Sequence, residues 1–409
     1  MLKKHIIGII FLIYLLAFAA PVFADDAPDI TGMTAVLMDA QNMQILYNKD
    51  MQERMYPAST TKILTGIIAI EKGKMDDLIP VSWEAANTEG TNIGLQEGEK
   101  LTLRDLLYAL LLSSSNDAAE AIAEHYGKSA DNFAVMMNQK AKEIGAVHSH
   151  FTNPHGLPDE DHYTTAYDLA LIARYAMQND KFREIVREKE ITIARVDPEG
   201  QKYMVNHNKL LSRYEGAIGI KTGYTVAAGQ CIAAEVKRDD RELIAVVLKS
   251  EGNDLWTDTE NLFNYGFNSF RNIYLVKRGQ VMGQAEVSNG SLKAVSLVTD
   301  RDFTWNLPTK NGNELKRRLV LNKNIKAPLK KGQKLGELIF SDGETDIARI
   351  DLLAQSDIER NIIARWWVWS LSVGLVGILL GILLLRLRIS RIRRRKRYIR
   401  RRYSNGYIR

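Results

Sequence analysis

The feature that most constrains this chain is an uncharged apolar run near its C-terminal end, Trp366 to Leu385, which reads "WWVWSLSVGLVGILLGILLL". About twenty apolar residues in a helix are enough to cross the roughly 30 Å of hydrocarbon in a bilayer. Tryptophans stand at the start of the run, where an interfacial belt would lie. Because the segment is apolar on all faces, it differs from an amphipathic helix that lies in the interface. We therefore predict a transmembrane helix over 366–385.

A basic tail follows the predicted span, with twelve Lys or Arg residues and no acidic residue over 386–409. Positive charge next to a span stays on the cytoplasmic side, so we expect the tail inside and the residues before the span outside. Anionic membrane lipid is the expected partner of the tail. Gly377 and Gly381 form a GxxxG pair, which leaves a homodimer through this helix open.

The N-terminal segment "MLKKHIIGIIFLIYLLAFAAPVFADD" has the layout of a secretory signal. A short basic region precedes about fifteen apolar residues, and Pro21 and small residues follow. We predict a signal peptide over 1–24 with cleavage after Ala24. An uncleaved first span is the alternative, but the apolar run before Pro21 is short for a bilayer. Both ends of the chain thus predict the same topology.

The residues between Asp25 and Leu385 comprise 41 basic and 49 acidic residues, so the body of the chain is mildly acidic. This balance argues against a nucleic-acid partner, although the whole chain is basic. The single cysteine, Cys231, excludes an internal disulfide. It lies in a strand-like run, "QCIAAEV", which indicates a packed thiol.

The order of secondary structure predicts an α+β domain over 25–271. The run "AVLMDAQNMQILYNKD" is typical of two strands, and helical patterns follow, including "LTLRDLLYALLL" with a capping box of Thr102 and Asp105. The runs "GAIGIKTGYT", "AAGQCIAAEVK" and "RELIAVVLK" then predict an antiparallel meander, followed by a helix in "DTENLFNYGFNSF". We expect one antiparallel sheet flanked by helices, with a helical subdomain. From Asn272 onward, short strands separated by Asn-Gly and Lys-Gly turns predict a small all-β domain over 272–356.

The candidate chemistry begins in "YPASTTKILTG", where Ser59 and Lys62 stand three residues apart at the start of a helix. Residues at that spacing lie on the same helix face, so the Lys62 amine can reach the Ser59 hydroxyl. A serine becomes a nucleophile when a neighbouring base takes its proton, and lysine can do so only when a depressed pKa leaves it neutral. A helix-start serine beside a solvated lysine is the alternative.

Two further motifs favour the catalytic interpretation. Ser114, Ser115 and Asn116 lie at a helix break, where they could instead be loop residues or a helix cap. Lys221, Thr222 and Gly223 lie on the first strand of the meander, where the lysine could simply mark an edge strand. Together, the order SxxK, SxN and KTG is that of penicillin-binding proteins and class A β-lactamases. Lys221 would also be the second cation that keeps Lys62 neutral.

On these motifs the chain resembles the low-molecular-mass penicillin-binding proteins, serine D-alanyl-D-alanine carboxypeptidases of the peptidase S11 type. The runs "EGEKLTLRDLLYALLLSSSNDAAEAIAEH", "HFTNPHGLPDEDHYTTAYDLALIARYAM" and "NHNKLL" resemble that family too. The resemblance covers most of the chain from Asp25 to about Gln355. It implies a β-lactamase/transpeptidase-like fold, removal of the terminal D-alanine from peptidoglycan stem pentapeptides, and acylation by β-lactams. It also implies a single-pass bacterial membrane protein with an extracytoplasmic catalytic domain and no cofactor.

The resemblance also implies roles for the motif residues. Ser59 would attack the carbonyl of the penultimate D-alanine while Lys62 takes its proton. Ser114 and Lys221 would carry a proton to the departing amine, and Asn116 would hold the substrate amide. The substrate carboxylate would meet Thr222 and Lys221. Gly223 completes the KTG motif, and the oxyanion would lie between the backbone N–H groups of Ser59 and Tyr224.

Two departures from the family pattern accompany the resemblance. Relatives often carry an arginine soon after the strand that follows KTG, but "SEGNDLWTDTENLF" has none. Carboxylate recognition would then depend on Thr222 and Lys221. The C-terminal segment is a full span, whereas many relatives end in an amphipathic anchor.

Three other functions are alternatives for a chain with these motifs. A class A β-lactamase would carry a deacylating glutamate in a Glu-x-x-x-Asn frame, which "HSHFTNPHGLPDEDHY" does not contain. A zinc peptidase is suggested by a cluster of histidines and an aspartate, but neither HExxH nor another familiar ligand spacing is present, so we predict no metal site. The cluster comprises His148, His150, His155, Asp161 and His162. A non-enzymatic wall-binding anchor is disfavoured because the three motifs are intact.

Overall fold

The structure is a computed structural model that describes residues 27–195, 200–310, 315–361 and 366–404. The predicted signal peptide, 1–24, lies outside the described residues. The helices are α1 Lys62–Lys72, α2 Trp83–Ala86, α3 Leu103–Leu111, α4 Asn116–Gly127, α5 Ala130–Ile144, α6 Ala166–Met177, α7 Asp180–Arg187, α8 Leu210–Arg213, α9 Asp254–Asn268 and α10 Trp366–Ser404. The strands are β1 Thr34–Asp39, β2 Ile45–Lys49, β3 Leu78–Pro80, β4 Lys100–Thr102, β5 Glu190–Thr192, β6 Tyr203–Val205, β7 Ala217–Thr225, β8 Gly229–Arg238, β9 Arg241–Ser250, β10 Phe270–Val276, β11 Val281–Glu286, β12 Ala294–Thr299, β13 Phe303–Pro308, β14 Lys316–Leu321, β15 Lys334–Asp342 and β16 Thr345–Ala354.

The chain divides into two compact units, the first of which runs to Ile273 and also contains Thr304–Gly312. Its main sheet is antiparallel with the order β2-β1-β9-β8-β7, so the first two strands join the later meander. Alternate side chains of a strand point to opposite faces. Accordingly, Val36 and Met38 of β1 enter one apolar cluster, and Ala35 and Leu37 enter the other. Helices α6 and α7 pack against the sheet in the first cluster and α9 in the second, which confirms the expected sheet between helical layers.

The helical region of the first unit is set by its caps. Thr102 accepts a hydrogen bond from the N–H of Asp105 at the start of α3 and donates its hydroxyl to the Asp105 carboxylate. Ser115 caps α4 in the same manner by accepting from the N–H of Ala118. Such caps satisfy backbone donors that have no partner inside the helix. The break between α3 and α4 therefore falls at Ser113, Ser114 and Ser115, the last two of which belong to the SxN motif.

The second unit contains a five-stranded antiparallel sheet with the order β11-β12-β16-β15-β14 and an apolar cluster of its own. The segment Thr304–Gly312 falls within the range 272–356 but belongs to the first unit. Its Asn306 donates a side-chain N–H to Asp39 at 2.7 Å and its backbone N–H to Gln44 at 2.8 Å. These contacts join residues far apart in the chain, and the local sequence pattern gives no sign of them.

Helix α10 contains the predicted span. Among the described residues it is the one helix long and apolar enough to cross a membrane, and its apolar window is not buried against the rest of the chain. This arrangement agrees with a C-terminal membrane anchor.

Candidate active site

The backbone around Ser59 is a sharp turn. Residues Ala58–Thr61 form a short 3₁₀ helix that leads directly into α1. Ala58 has a φ of +47°, a left-handed conformation that is unfavourable for a residue with a side chain. The sequence pattern had indicated that Ser59 lies in the first α-helical turn. The 3₁₀ geometry instead eclipses residues three apart, so Ser59 and Lys62 project from the same side of the turn.

The Lys62 amine is completely buried and lies among three oxygens. Its Nζ is 3.0 Å from the Ser59 hydroxyl oxygen, 2.7 Å from Asn116 Oδ1 and 2.7 Å from the His155 carbonyl oxygen. The amide oxygen and the carbonyl can only accept hydrogen bonds. A neutral amine has two N–H donors and one lone pair. Two donors directed at Asn116 and His155 leave the lone pair for the Ser59 hydroxyl.

The electrostatics of the pocket favour a neutral Lys62. Burial, and then the nearby Lys221 ammonium, lower the pKa of Lys62 well below its usual value, while Asp117 acts in the opposite direction. Burial alone lowers the pKa of Lys221 to about 7. A buried amine loses the hydration that stabilises its charged form, and a second cation penalises that form further. At neutral pH this site can hold an uncharged amine against a serine hydroxyl.

Strand β7 passes directly beside the nucleophile turn. A Cβ added at Gly223 would lie 2.6 Å from the Ser59 backbone nitrogen and 3.0 Å from the Ala58 Cβ. Glycine is therefore required here by close approach of two backbones. Gly156, in the loop after α5, has a φ of +90°, and a Cβ there would lie 1.9 Å from the Ala58 carbonyl oxygen. The turn that carries Ser59 is thus packed closely against both β7 and the loop after α5.

The SxN motif is positioned by strained backbone and by hydrogen bonds. Ser114 is buried and has a φ of +63°, which is rare for a serine. Asn116 accepts from Lys62 through Oδ1 and donates through Nδ2 to the Glu89 carbonyl at 2.7 Å. Its backbone N–H donates to the Thr91 carbonyl, also at 2.7 Å. Strained residues persist where the surrounding structure enforces them, and such residues are concentrated at functional sites.

An open cleft of about 320 Å³ adjoins these motifs. Its lining includes five of the predicted site residues, Ser59, Ser114, Thr222, Gly223 and Tyr224. The other three, Lys62, Asn116 and Lys221, do not line the cleft and are almost completely buried. All eight belong to the first unit. The structure therefore places Ser59 at the surface of the cleft, with the buried Lys62 amine in contact with its hydroxyl.

Several cleft residues were not predicted from the sequence. The lining also includes Thr91, His207, Lys209, Gln230, Gly252, Asn253 and Trp256. The run "NHNKLL" resembled the family and contains His207 and Lys209, but the residues alone suggested no role for them. His155 was considered as a metal ligand, whereas its backbone carbonyl in fact contacts Lys62.

The histidine cluster has other partners. His162 Nε2 lies 2.9 Å from the Thr61 hydroxyl, and His150 Nδ1 lies 2.6 Å from the Asp161 carbonyl. Burial lowers the pKa of His155 to about 3, and any positive charge on Lys62 or His162 acts in the same direction, so this ring is neutral at pH 7. Within the described ranges, no three His, Cys, Asp or Glu side chains are arranged to hold a metal ion.

Comparison with known proteins identifies two families along the chain. The model of the D-alanyl-D-alanine carboxypeptidase family, peptidase S11, matches residues 21–252, and that of the C-terminal domain of penicillin-binding protein 5 matches residues 270–360. The D-alanyl-D-alanine carboxypeptidase DacF of Bacillus subtilis is 33% identical over 88% of this chain and 95% of its own length. The corresponding enzyme DacA of Haemophilus influenzae is 29% identical over 85% of this chain and 90% of its own.

Solved structures give the same result. Penicillin-binding protein 5 from Haemophilus influenzae matches with a TM-score of 0.73 and 28% identity, over 82% of this chain and all of that chain. A peptidoglycan synthesis regulatory factor from Streptococcus pneumoniae matches with a TM-score of 0.71 and 26% identity, over 81% of this chain and all of that chain. The chain therefore belongs to the peptidase S11 family and is a serine-type D-alanyl-D-alanine carboxypeptidase of peptidoglycan synthesis with a β-lactam-binding fold.

Proposed function

We propose that Ser59 is the nucleophile of this carboxypeptidase and that Lys62 is its general base. The observation that carries the proposal is the arrangement of the Lys62 amine, with Asn116 and His155 as acceptors and the Ser59 hydroxyl 3.0 Å away. The neutral amine takes the hydroxyl proton as Ser59 attacks the carbonyl of the penultimate D-alanine. An acyl-serine forms, the terminal D-alanine leaves as an amine, and water then hydrolyses the ester.

The oxyanion of this step is stabilised by the backbone N–H groups of Ser59 and Tyr224. The support is the contact between Gly223 and Ser59, which brings β7 and the nucleophile turn together without an intervening side chain. Backbone donors fixed before the reaction stabilise charge that develops in the transition state. Since the site would not reorganise during the step, this arrangement favours the transition state over the bound substrate.

Substrate binding and leaving-group protonation depend on the residues that surround Ser59. Ser114 and Thr222 both line the cleft, and Lys221 lies buried behind Thr222, with its Nζ 2.9 Å from the Thr222 carbonyl. Thr222 and Lys221 receive the terminal carboxylate. Ser114 and Lys221 relay the proton to the departing amine. Asn116 serves two purposes in this scheme, since it orients Lys62 and carries a second amide N–H for the substrate.

The membrane arrangement completes the proposal. Residues 1–24 direct export, residues 366–385 cross the cytoplasmic membrane, and the basic tail 386–409 remains in the cytoplasm beside anionic lipid. The catalytic domain, 25–271, and the β-rich domain, 272–356, then lie outside, where peptidoglycan is found. The exposed apolar window of α10 supports the anchor. The tail after the span is strongly basic, whereas the body of the chain before the span is mildly acidic, and this difference in charge supports the orientation.

The test compares Ser59→Ala with Ser212→Ala. Ser212 is an exposed serine on α8 that does not line the cleft, so it is a matched control. We expect Ser59→Ala to lose both release of D-alanine from a stem pentapeptide and labelling by fluorescent penicillin, and Ser212→Ala to retain both. Activity retained in Ser59→Ala would refute the assignment. Rapid, sustained hydrolysis of nitrocefin by the unmodified protein would instead favour a β-lactamase.

A further inference from the structure

One end of the sheet in the second unit gathers three loops, 287–293, 322–333 and 355–361. The antiparallel register places the last residues of β11, β14 and β16 beside the first residues of β12 and β15. The chain leaves the sheet at this end and continues to α10. We call these three loops the anchor-proximal end.

Within the anchor-proximal end, hydrogen bonds join loop 287–293 to loop 355–361, the last described segment before α10. The N–H of Ser291 donates to the Glu359 carbonyl at 2.7 Å, and the N–H of Asn361 donates to the Asn289 carbonyl at 2.9 Å. Helix α10 begins at Trp366, only five residues beyond Asn361. At no more than about 3.6 Å per residue, these residues reach at most roughly 18 Å. A helix α10 in the membrane therefore keeps this end of the sheet close to the bilayer surface.

The anchor-proximal end also differs in charge from the opposite end of the sheet. Its loops carry two acidic residues, Asp357 and Glu359, against six basic residues, which are Lys293, Lys323, Lys326, Lys330, Lys331 and Arg360. The loops at the opposite end, 277–280, 300–302 and 342–344, carry three basic and four acidic residues. The five lysines are exposed, and across the described part of the chain none of them forms an ion pair.

One apolar side chain projects among these charges. Leu292 is 56% exposed at the tip of loop 287–293 and is followed directly by Lys293. A large apolar residue next to unpaired lysines is the combination found on surfaces that contact the bilayer interface, where the leucine enters the headgroup layer and the ammonium groups meet phosphate. The reach of the chain, the excess of positive charge and the exposed leucine therefore point to the same partner.

We propose that the anchor-proximal end docks on the outer surface of the membrane, with its lysines on anionic phospholipid headgroups and Leu292 in the interface. The inference rests on the proposed anchoring by α10 and is independent of the catalytic mechanism. Its electrostatic part acts over the screening length of about 10 Å at 0.1 M salt and shortens to about 3 Å at 1 M. This contact fixes the second unit on the bilayer rather than leaving it to rotate on its linker.

The test uses the full chain in vesicles of phosphatidylcholine with or without phosphatidylglycerol, doped with a headgroup-nitroxide lipid. A fluorophore is attached at Leu292→Cys, and Cys231 does not compete because it is buried and burial raises the pKa of its thiol. Val281→Cys is the matched control, since Val281 is 53% exposed at the other end of β11. We expect nitroxide quenching at position 292 that increases with phosphatidylglycerol, and weak quenching at position 281 in both vesicles.

The charge-reversed double variant Lys330→Glu and Lys331→Glu should lower the quenching at position 292, as should 1 M salt. Equal quenching at positions 292 and 281 would overturn the proposal, as would quenching at position 292 that is independent of lipid charge. An anionic wall polymer that lowers the quenching at position 292 in neutral vesicles would also overturn the proposal. The lysines would then be assigned to that polymer. Flotation of the protein with vesicles and labelling by fluorescent penicillin report separately on the anchor and on Ser59.

Discussion

Substituting alanine for Gly223 tests the packing that places the nucleophile against β7. The new Cβ would lie 2.6 Å from the Ser59 nitrogen, whereas ordinary contact begins at 3.4 Å. The turn or the strand must therefore give way by about 0.8 Å, since the nearest obstructing atom belongs to the backbone. Overpacking of this kind costs about 1–3 kcal/mol of stability. A displacement of about 1 Å at reacting groups costs about 10²-fold in rate. We expect a folded Gly223→Ala enzyme that is acylated about 10²-fold more slowly.

The assay is the second-order rate of acylation by fluorescent penicillin, combined with urea unfolding of the same preparation. Gly252→Ala is the control, because Gly252 lines the same cleft and an added Cβ meets no atom within 4 Å. Its φ of +49° makes alanine cost about 1–2 kcal/mol, so the two variants lose similar stability. Acylation of Gly223→Ala at the rate of Gly252→Ala would refute the packing argument.

Three further predictions concern charge. Lys62→Arg replaces the neutral amine with a permanently charged guanidinium that cannot take a proton, so acylation by fluorescent penicillin should fall about 10²–10⁴-fold. A rate near that of the unmodified enzyme would exclude Lys62 as the base. Lys221→Met removes the neighbouring cation that lowers the pKa of Lys62, so the pKa of Lys62 should rise. The acidic limb of the plot of acylation rate against pH should then move to higher pH. A limb that does not move would show that Lys221 does not control this pKa. Burial raises the pKa of Glu235 to about 7, so the folded state binds this proton more tightly and stability should fall as pH rises from about 4.5 to 7. Glu235→Gln should flatten that fall in urea titrations and leave stability at pH 4.5 nearly unchanged, whereas an unaltered pH profile would contradict the assignment.

The elements near the site could be predicted because their sequences repeat with a clear period. Strands β7, β8 and β9 are nine or ten residues long, and their apolar residues either alternate with polar ones or follow one another without interruption. Each strand is bounded by a turn. Helix α1 ends at Gly73, which is its C-cap, and a glycine after the last periodic residue is a common helix stop signal. The three motifs were recognisable because each combines a few polar residues with a fixed position on such an element.

The remaining geometry depends on contacts between residues distant in sequence. The left-handed conformation of Ala58 is imposed by its surroundings, since alanine has no intrinsic preference for it. The contact between Lys62 and the His155 carbonyl involves a backbone group, which no side-chain motif can reveal. The return of Thr304–Gly312 to the first unit depends on the pairing of Asn306 with Asp39, more than 200 residues away. These features follow from tertiary packing rather than from local pattern.

The most direct test of the central claim is mass spectrometry of the mature protein after brief exposure to a penicillin, with the adduct mapped to a peptide. One covalent adduct is expected, located at Ser59. An adduct on any other residue, or a protein that is never acylated while it releases D-alanine normally, would contradict it.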